Sequence, residues 1–168
     1  MDKCVFLDRD GVLNKELGFQ ITDLQDFVLV DNLHESISRL KAAGYLLIVV
    51  TNQSGIAKGN YTEAFVQTCY ERIQDACAHQ LDALYFAPGH ECVSRSLMRK
   101  PDSLMFEKAM AKFNIDPMQS WMIGDKERDL IPAKKLGIKT VLVEGSTSEY
   151  ADASVDNLKK AVSHILAS

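Results

Sequence analysis

The stretch Val5–Asn14, VFLDRDGVLN, sets an apolar run against two aspartates that flank an arginine and are followed by a glycine. If the run is a strand, alternation carries Asp8 and Asp10 to one side of the chain and Arg9 to the other, where it reads as a structural ion-pair partner facing away. Two carboxylates so placed repel each other unless a metal or a proton lies between them.

Working outward, four more short apolar runs recur, each followed by a turn signal: YLLIVV from Tyr45, ALYFA from Ala83, WMI from Trp121 and TVLV from Thr140. With CVFL from Cys4, these runs are continuous rather than alternating, which predicts strands buried on both faces, as in a parallel sheet. Helical patterns separate the later strands. Asn32 and Glu35 form a capping-box signature ahead of Leu33, Ile37 and Leu40, with Gly44 as the stop. Further periodic segments span 60–80, 102–113 and 155–166. Asp129 is expected to cap a short helix with Pro132 in its first turn and Gly137 closing it.

This alternation predicts an α/β fold: a three-layer, doubly wound, Rossmann-like parallel sheet with right-handed crossovers. Residues 11–31 are too many for an ordinary connection, and FQITDLQDFVLV within them reads as a small β-hairpin flap over the site, with no large cap domain.

A length of 168 residues suits one domain, 1–168. The formal net charge of -4 argues against nucleic acid or an anionic membrane as partner, so any bound anion must be held by local charges. The apolar run from Cys4 to Leu7 is far too short for a signal segment or a spanning helix, and a cytoplasmic protein is expected. Cys4, Cys69, Cys77 and Cys92 form no CxxC pair and read as reduced thiols.

In open α/β sheets the ligand crevice lies outside the carboxyl ends of the strands. Those ends read Asp8-Arg9-Asp10-Gly11, Thr51-Asn52-Gln53-Ser54-Gly55, Pro88-Gly89-His90 and Gly124-Asp125-Lys126, and Arg99-Lys100-Pro101 precedes a helix. Two carboxylates at the first strand and a third at Asp125 make a hard-oxygen site suited to Mg2+. A lysine, a hydroxyl and loop N–H groups opposite would hold phosphate oxygens. Asp8 can then attack phosphorus, while Asp10 protonates the leaving oxygen and later activates water.

FLDRDG, the Thr51 step, Lys100 and GDKERD with Asp125 and Asp129 together resemble the haloacid dehalogenase superfamily of phosphohydrolases. FLDRDGVLN, VVTNQSGIAKG, RKP and IGDKERD narrow the likeness to the D-glycero-D-manno-heptose 1,7-bisphosphate 7-phosphatase family and, less closely, the histidinol-phosphatases, over Val5 to Val143. The resemblance implies Asp8 as nucleophile, Asp10 as general acid/base, and Mg2+ bound by Asp8, the Asp10 main-chain carbonyl and Asp125. Thr51 and Lys100 would hold the transferred phosphoryl group. Substrate contacts would come from Glu16, Leu17, Gly18 and Phe19 in the flap and from Asn52, Gln53, Ser54, Arg99 and Lys126.

The implied substrate is a small phosphorylated metabolite, a heptose bisphosphate losing its 7-phosphate; histidinol phosphate or another small metabolite is the alternative. A zinc loop is usual in these families, but its positions correspond here to Ala87, Gly89, Ser96 and Met98, none of them a ligand. With only His90 and Cys92 nearby, zinc is not expected. A signalling receiver domain would place its phospho-acceptor at the third strand, which here ends in Ala87-Pro88-Gly89. Asp129 can be read as no more than a helix cap, His90 as a rim residue, and a monomer as the default state.

Overall fold

A computed structural model describes residues 1–90, 92, 96–144 and 147–168. Six strands, all parallel, form one sheet in the order β3-β2-β1-β4-β5-β6: β1 Cys4–Leu7, β2 Leu46–Asn52, β3 Ala83–Ala87, β4 Trp121–Gly124, β5 Lys139–Leu142 and β6 Ala153–Ser154. The helices are α1 Leu33–Ala42, α2 Glu63–Ala76, α3 Leu104–Phe113, α4 Glu127–Lys135 and α5 Leu158–Ala167. A 3-10 turn, Pro117–Gln119, precedes β4.

Strand alternation divides the core into two layers. Val5, Leu7, Leu47, Val49, Trp121 and Ile123 face a cluster that includes Leu33, Ile37 and Leu40 of α1, Cys69 and Ile73 of α2, and Val162 and Ile165 of α5. Cys4, Phe6, Ile48, Val50 and Met122 face Met105, Phe106 and Ala109 of α3 and Leu130 and Ala133 of α4. Phe6 and Phe106 meet at 5.0 Å between ring centroids. Burying each such side chain stabilises the fold by about 1.5–3 kcal/mol, which fixes the strands whose ends carry the polar residues. The strand order reverses between β1 and β4, so Asp8 and Asp125 emerge side by side at a topological switch point.

Local expectations fail in four places. The flap contains no strand pair of its own: antiparallel pairing joins Leu13–Lys15 to Val28–Val30 at its base, through Lys15 N–H to Val28 O and Val30 N–H to Leu13 O. The hairpin signal was displaced because Ile21 and Phe27 turn inward as core anchors. Asn32 has a left-handed φ of 59° and makes no side-chain cap; Glu35 instead pairs with Lys159 of α5 at 3.1 Å. Helix α4 starts earlier than expected, with Lys126 as N-cap and Asp129 in the third position, so Pro132 lies inside the helix. Strand β6 has no apolar run and is held at the sheet edge by backbone pairing with β5.

Candidate active site

The ladder between β1 and β4 continues one residue past β1 through Asp8 N–H to Ile123 O at 3.0 Å, which locks the Asp8 backbone to the sheet. The chain then turns through residues 9–14, with Leu13 N–H donating to Arg9 O and Gly11 N–H to Asn14 O. Gly11 is in the left-handed region (φ 82°), and a Cβ there would lie 2.6 Å from Asp125 Oδ2. The turn therefore passes directly against the third carboxylate, and only glycine permits the approach.

Alternation does not survive this turn. Arg9 bends back onto Asp10, with Nη2 2.8 and 2.9 Å from its two carboxylate oxygens, so Arg9 faces its neighbour and not away from it. Asn14 Nδ2 and Gln53 Nε2 donate to the same carboxylate at 3.1 and 2.9 Å. Burial disfavours the charge on Asp10, but the Arg9 guanidinium and these hydrogen bonds outweigh it and hold the carboxyl below its ordinary value.

Asp8, Asp125 and Asp129 are buried, and one oxygen from each falls within 4.8 Å of the others. Lys100 Nζ meets Asp129 Oδ1 at 2.7 Å, Val50 O at 2.8 Å and Asp8 Oδ1 at 2.9 Å. Val50 O and Asp8 Oδ1 accept hydrogen bonds from the ammonium, and Asp129 Oδ1 forms an ion pair with it, all in a fully buried setting. Asp129 also accepts from Lys126 N–H at 3.1 Å, so its role as a helix cap and its place in the cluster are the same geometry. Lys126 Nζ reaches Asp125 Oδ2 at 2.5 Å.

These two lysines leave the cluster short of positive charge. Burial, then the charge of Asp129, raise Asp8 from its ordinary value to about 7 despite Lys100. Burial raises Asp125 to about 6, with Lys126 opposing and Asp129 adding to the shift. Among the described residues, Asp125 Oδ1 is buried with no hydrogen-bond partner. A hard divalent cation would supply what this oxygen and these carboxylates lack, and the donor set fits Mg2+.

Thr51 is buried at the end of β2, its Oγ1 accepting from Gln53 Nε2 at 3.0 Å. Gln53, expected among the substrate contacts, is buried instead, its amide turned to Asp10, Thr51 and Tyr61. Asn52 exchanges two hydrogen bonds with the Lys100 main chain: its Nδ2 donates to Lys100 O at 3.0 Å, and Lys100 N–H donates to its Oδ1 at 2.9 Å. It thereby positions the lysine. A cleft of about 450 Å3 opens over Asp10 between Glu16, Gly18, Phe19 and Gln20 of the flap and Asn52, Ser54 and Tyr61, with Lys126 and Arg128 on the remaining side. Leu17 is part of the same flap and is exposed. Arg99 is half-buried nearby and donates to Gly89 O at 3.4 Å.

Tyr61, Arg128 and Asn14 were not singled out by the sequence. Arg128 sits in the GDKERD stretch and Asn14 closes FLDRDGVLN, which could have flagged them; Tyr61 follows no periodic or motif signal. The zinc-loop positions Ala87, Gly89, Ser96 and Met98 carry no ligating side chain. Nearby, Cys92 N–H donates to His90 Nδ1 at 3.2 Å.

Residues 97–167 match the HAD-hydrolase-like family model. The fold superposes on a D,D-heptose 1,7-bisphosphate phosphatase from B. bronchiseptica, complexed with magnesium and phosphate, with a TM-score of 0.88 at 24% identity over 98% of each chain. Fold and sequence alike define a haloacid dehalogenase-like hydrolase. The D-glycero-beta-D-manno-heptose-1,7-bisphosphate 7-phosphatases of Haemophilus ducreyi and Pasteurella multocida are 39% and 40% identical to it, over 82% and 86% of this chain and 80% and 83% of theirs. The chain belongs to the D-glycero-D-manno-heptose-1,7-bisphosphate 7-phosphatase family, and it is a phosphatase.

Proposed function

We propose that this phosphatase removes the 7-phosphate of D-glycero-D-manno-heptose 1,7-bisphosphate through an aspartyl-phosphate on Asp8, with Mg2+ as cofactor. The observation that carries this mechanism is the buried cluster itself: a carboxylate fixed at the end of β1, 2.9 Å from a buried lysine, beside an Asp125 oxygen without a partner. Asp8, Asp125 and the Asp10 main-chain carbonyl would hold the metal, with Asp129 beside them. Bound there, Mg2+ supplies positive charge against the phosphoryl oxygens.

Asp8 attacks phosphorus and the ester P–O bond breaks, while Asp10, whose carboxyl rises and takes up a proton once the phosphoryl dianion enters beside it, gives that proton to the departing sugar oxygen. The Thr51 hydroxyl and the Lys100 ammonium hold the non-bridging oxygens throughout. Asp10, now a carboxylate, takes a proton from the water that attacks the aspartyl-phosphate. The bond from phosphorus to Asp8 then breaks, releasing inorganic phosphate and restoring Asp8.

The flap residues Glu16, Leu17, Gly18 and Phe19, with Asn52, Ser54, Lys126 and Arg99, would face the sugar and its second phosphate. We propose further that residues 1–168 work as one domain and as a monomer in the cytoplasm, without zinc. Among the described residues, no helix is long and apolar enough to cross a membrane.

Purified protein with Mg2+ should release phosphate from the heptose bisphosphate and leave the 1-phosphate. Histidinol phosphate assayed in parallel should be a poor substrate. Efficient hydrolysis of histidinol phosphate with the bisphosphate untouched would overturn the substrate assignment.

A further inference from the structure

The donors that hold Asp10 do not come from the same part of the chain. Arg9 and Asn14 belong to the turn that carries Asp10 and move with it. Gln53 comes from the end of β2, and its Nε2 bridges Asp10 Oδ2 at 2.9 Å and Thr51 Oγ1 at 3.0 Å. That amide therefore ties the proton-transferring carboxylate to the hydroxyl assigned to the phosphoryl group. Gln53 is only 1% exposed, so bulk water offers it little alternative.

The other end of the amide leads to the cleft. Tyr61 donates its hydroxyl to Gln53 Oε1 at 2.7 Å, and Tyr61 lines the cleft with Gln20 of the flap. Its ring lies against Gly55, where a Cβ would fall 2.2 and 2.5 Å from Cε1 and Cζ. Glycine at this position lets the ring reach Gln53.

We infer that Gln53, braced by Tyr61 over Gly55, is a positioning residue that sets Asp10 relative to the phosphoryl group. The inference rests on the roles proposed above for Asp10 and Thr51. Proton donation matters most when the leaving oxygen is a poor leaving group, as a sugar alkoxide is, and little for a nitrophenolate. A loosened Asp10 therefore penalises the sugar ester selectively. A loss of packing alone would have no such selectivity.

The test compares first-turnover rates, which report phosphoryl transfer to Asp8, on the heptose bisphosphate and on 4-nitrophenyl phosphate with Mg2+ present. Gln53→Ala should slow the sugar ester about 10- to 100-fold, part of the range general acid catalysis supplies, and the aryl ester less than about threefold, with KM little changed. Tyr61→Phe keeps the ring and removes the hydroxyl; Gly55→Ala keeps every hydrogen-bonding group and displaces the ring. Both should show the same selectivity at about 3- to 10-fold. Equal losses on both esters, or a change in KM alone, would overturn the inference while leaving the nucleophile assignment standing. Phosphoryl transfer surviving in Asp8→Asn would overturn the underlying site reading, and the inference with it.

Discussion

The two ends of the sheet use the same residue type in opposite ways. Before β3 and β6, where the strands begin, each aspartate stands alone with its own partners. Asp82 accepts Leu47 N–H at 2.7 Å and pairs with Lys41 at 2.8 Å. Asp152 accepts Thr140 N–H at 2.8 Å and pairs with Lys134. Burial opposes the charge on Asp152, but Lys134 and Thr140 hold its carboxyl below the ordinary value. At the carboxyl ends, Asp8, Asp125 and Asp129 crowd together around Lys100 and Lys126, and Asp8 and Asp125 are pushed upward. One end is electrostatically satisfied; the other is poised for a cation and an anionic substrate.

Charge removal should separate the two ends most sharply. Asp8→Asn should lower turnover by more than ~10^3-fold, the scale of losing a nucleophile, while its Tm in chelator stays level or rises because one repelling charge is gone. Asp152→Ala should keep turnover and lose about 1–2 kcal/mol of stability, read as a Tm lower by roughly 2–8 °C. An Asp8→Asn protein that unfolds while Asp152→Ala remains stable would invert the assignment of the two ends.

A subtler intrusion should also break the crowded end. In Gly124→Ala the new Cβ would lie 2.5 Å from Asp129 Cβ and 2.9 Å from its Oδ2. Asp129 would have to move, and Lys100 with it. A displacement on the order of 1 Å in such a site costs about 10^2-fold in rate. Gly59→Ala, where a Cβ meets nothing within 4 Å but φ is 73°, should cost some stability through backbone strain and leave the rate unchanged. Normal kcat/KM in Gly124→Ala would show that Asp129 is dispensable.

How much of this was legible in the sequence follows from which forces set each element. Strand β1 matches its apolar run residue for residue, because burial on both faces writes itself as continuous hydrophobicity; β3 also matches its run, although at the sheet edge it is only partly buried. Asp8, Thr51, Lys100 and Asp125 could be located because strand ends and motif spacing predict one rim. Strand β6 was invisible, since an edge strand of Ala153 and Ser154 pairs through backbone alone. The bond from Tyr61 to Gln53 was also invisible: it joins a loop residue to a strand end with no helical or strand period. Arg9 was misdirected because alternation was carried past Asp8, the last residue on the ladder, into the turn that begins at Arg9.

Arg99, beside the cleft, and Arg128, on its wall, give a smaller contrast. Arg99 is half-buried with a main-chain acceptor at Gly89, whereas Arg128 is exposed on the cleft wall. A partly desolvated guanidinium should hold a second phosphate more firmly than a solvated one. Arg99→Ala should raise KM for the bisphosphate about ten- to a hundredfold and barely alter an aryl monophosphate. Arg128→Ala should cost less than about threefold. A larger loss at Arg128 would move the second phosphate to the α4 side.

The smallest expected effect is thermal and needs no mutation. In protein freed of divalent cations, Asp8 at about 7 and Asp125 at about 6 keep protons that the unfolded chain has already lost near pH 4. The folded state then binds more protons than the unfolded chain across that window, so stability falls as pH rises from about 4 towards 7. Asp10 and Asp152 are shifted downward. Their contribution is fully present above about pH 4 and is lost only as pH falls below it, so they add no slope between pH 5 and 8. Cys4 is raised above its ordinary value, and its effect begins only above about pH 9. Tm in chelator should therefore drop between pH 5 and 8, and Mg2+ should recover it at pH 8 far more than at pH 5, where protons compete for the same oxygens. A Tm that stays flat or rises over this interval would mean that Lys100 and Lys126 already balance the cluster, and the contrast between the two ends of the sheet would lose its electrostatic basis.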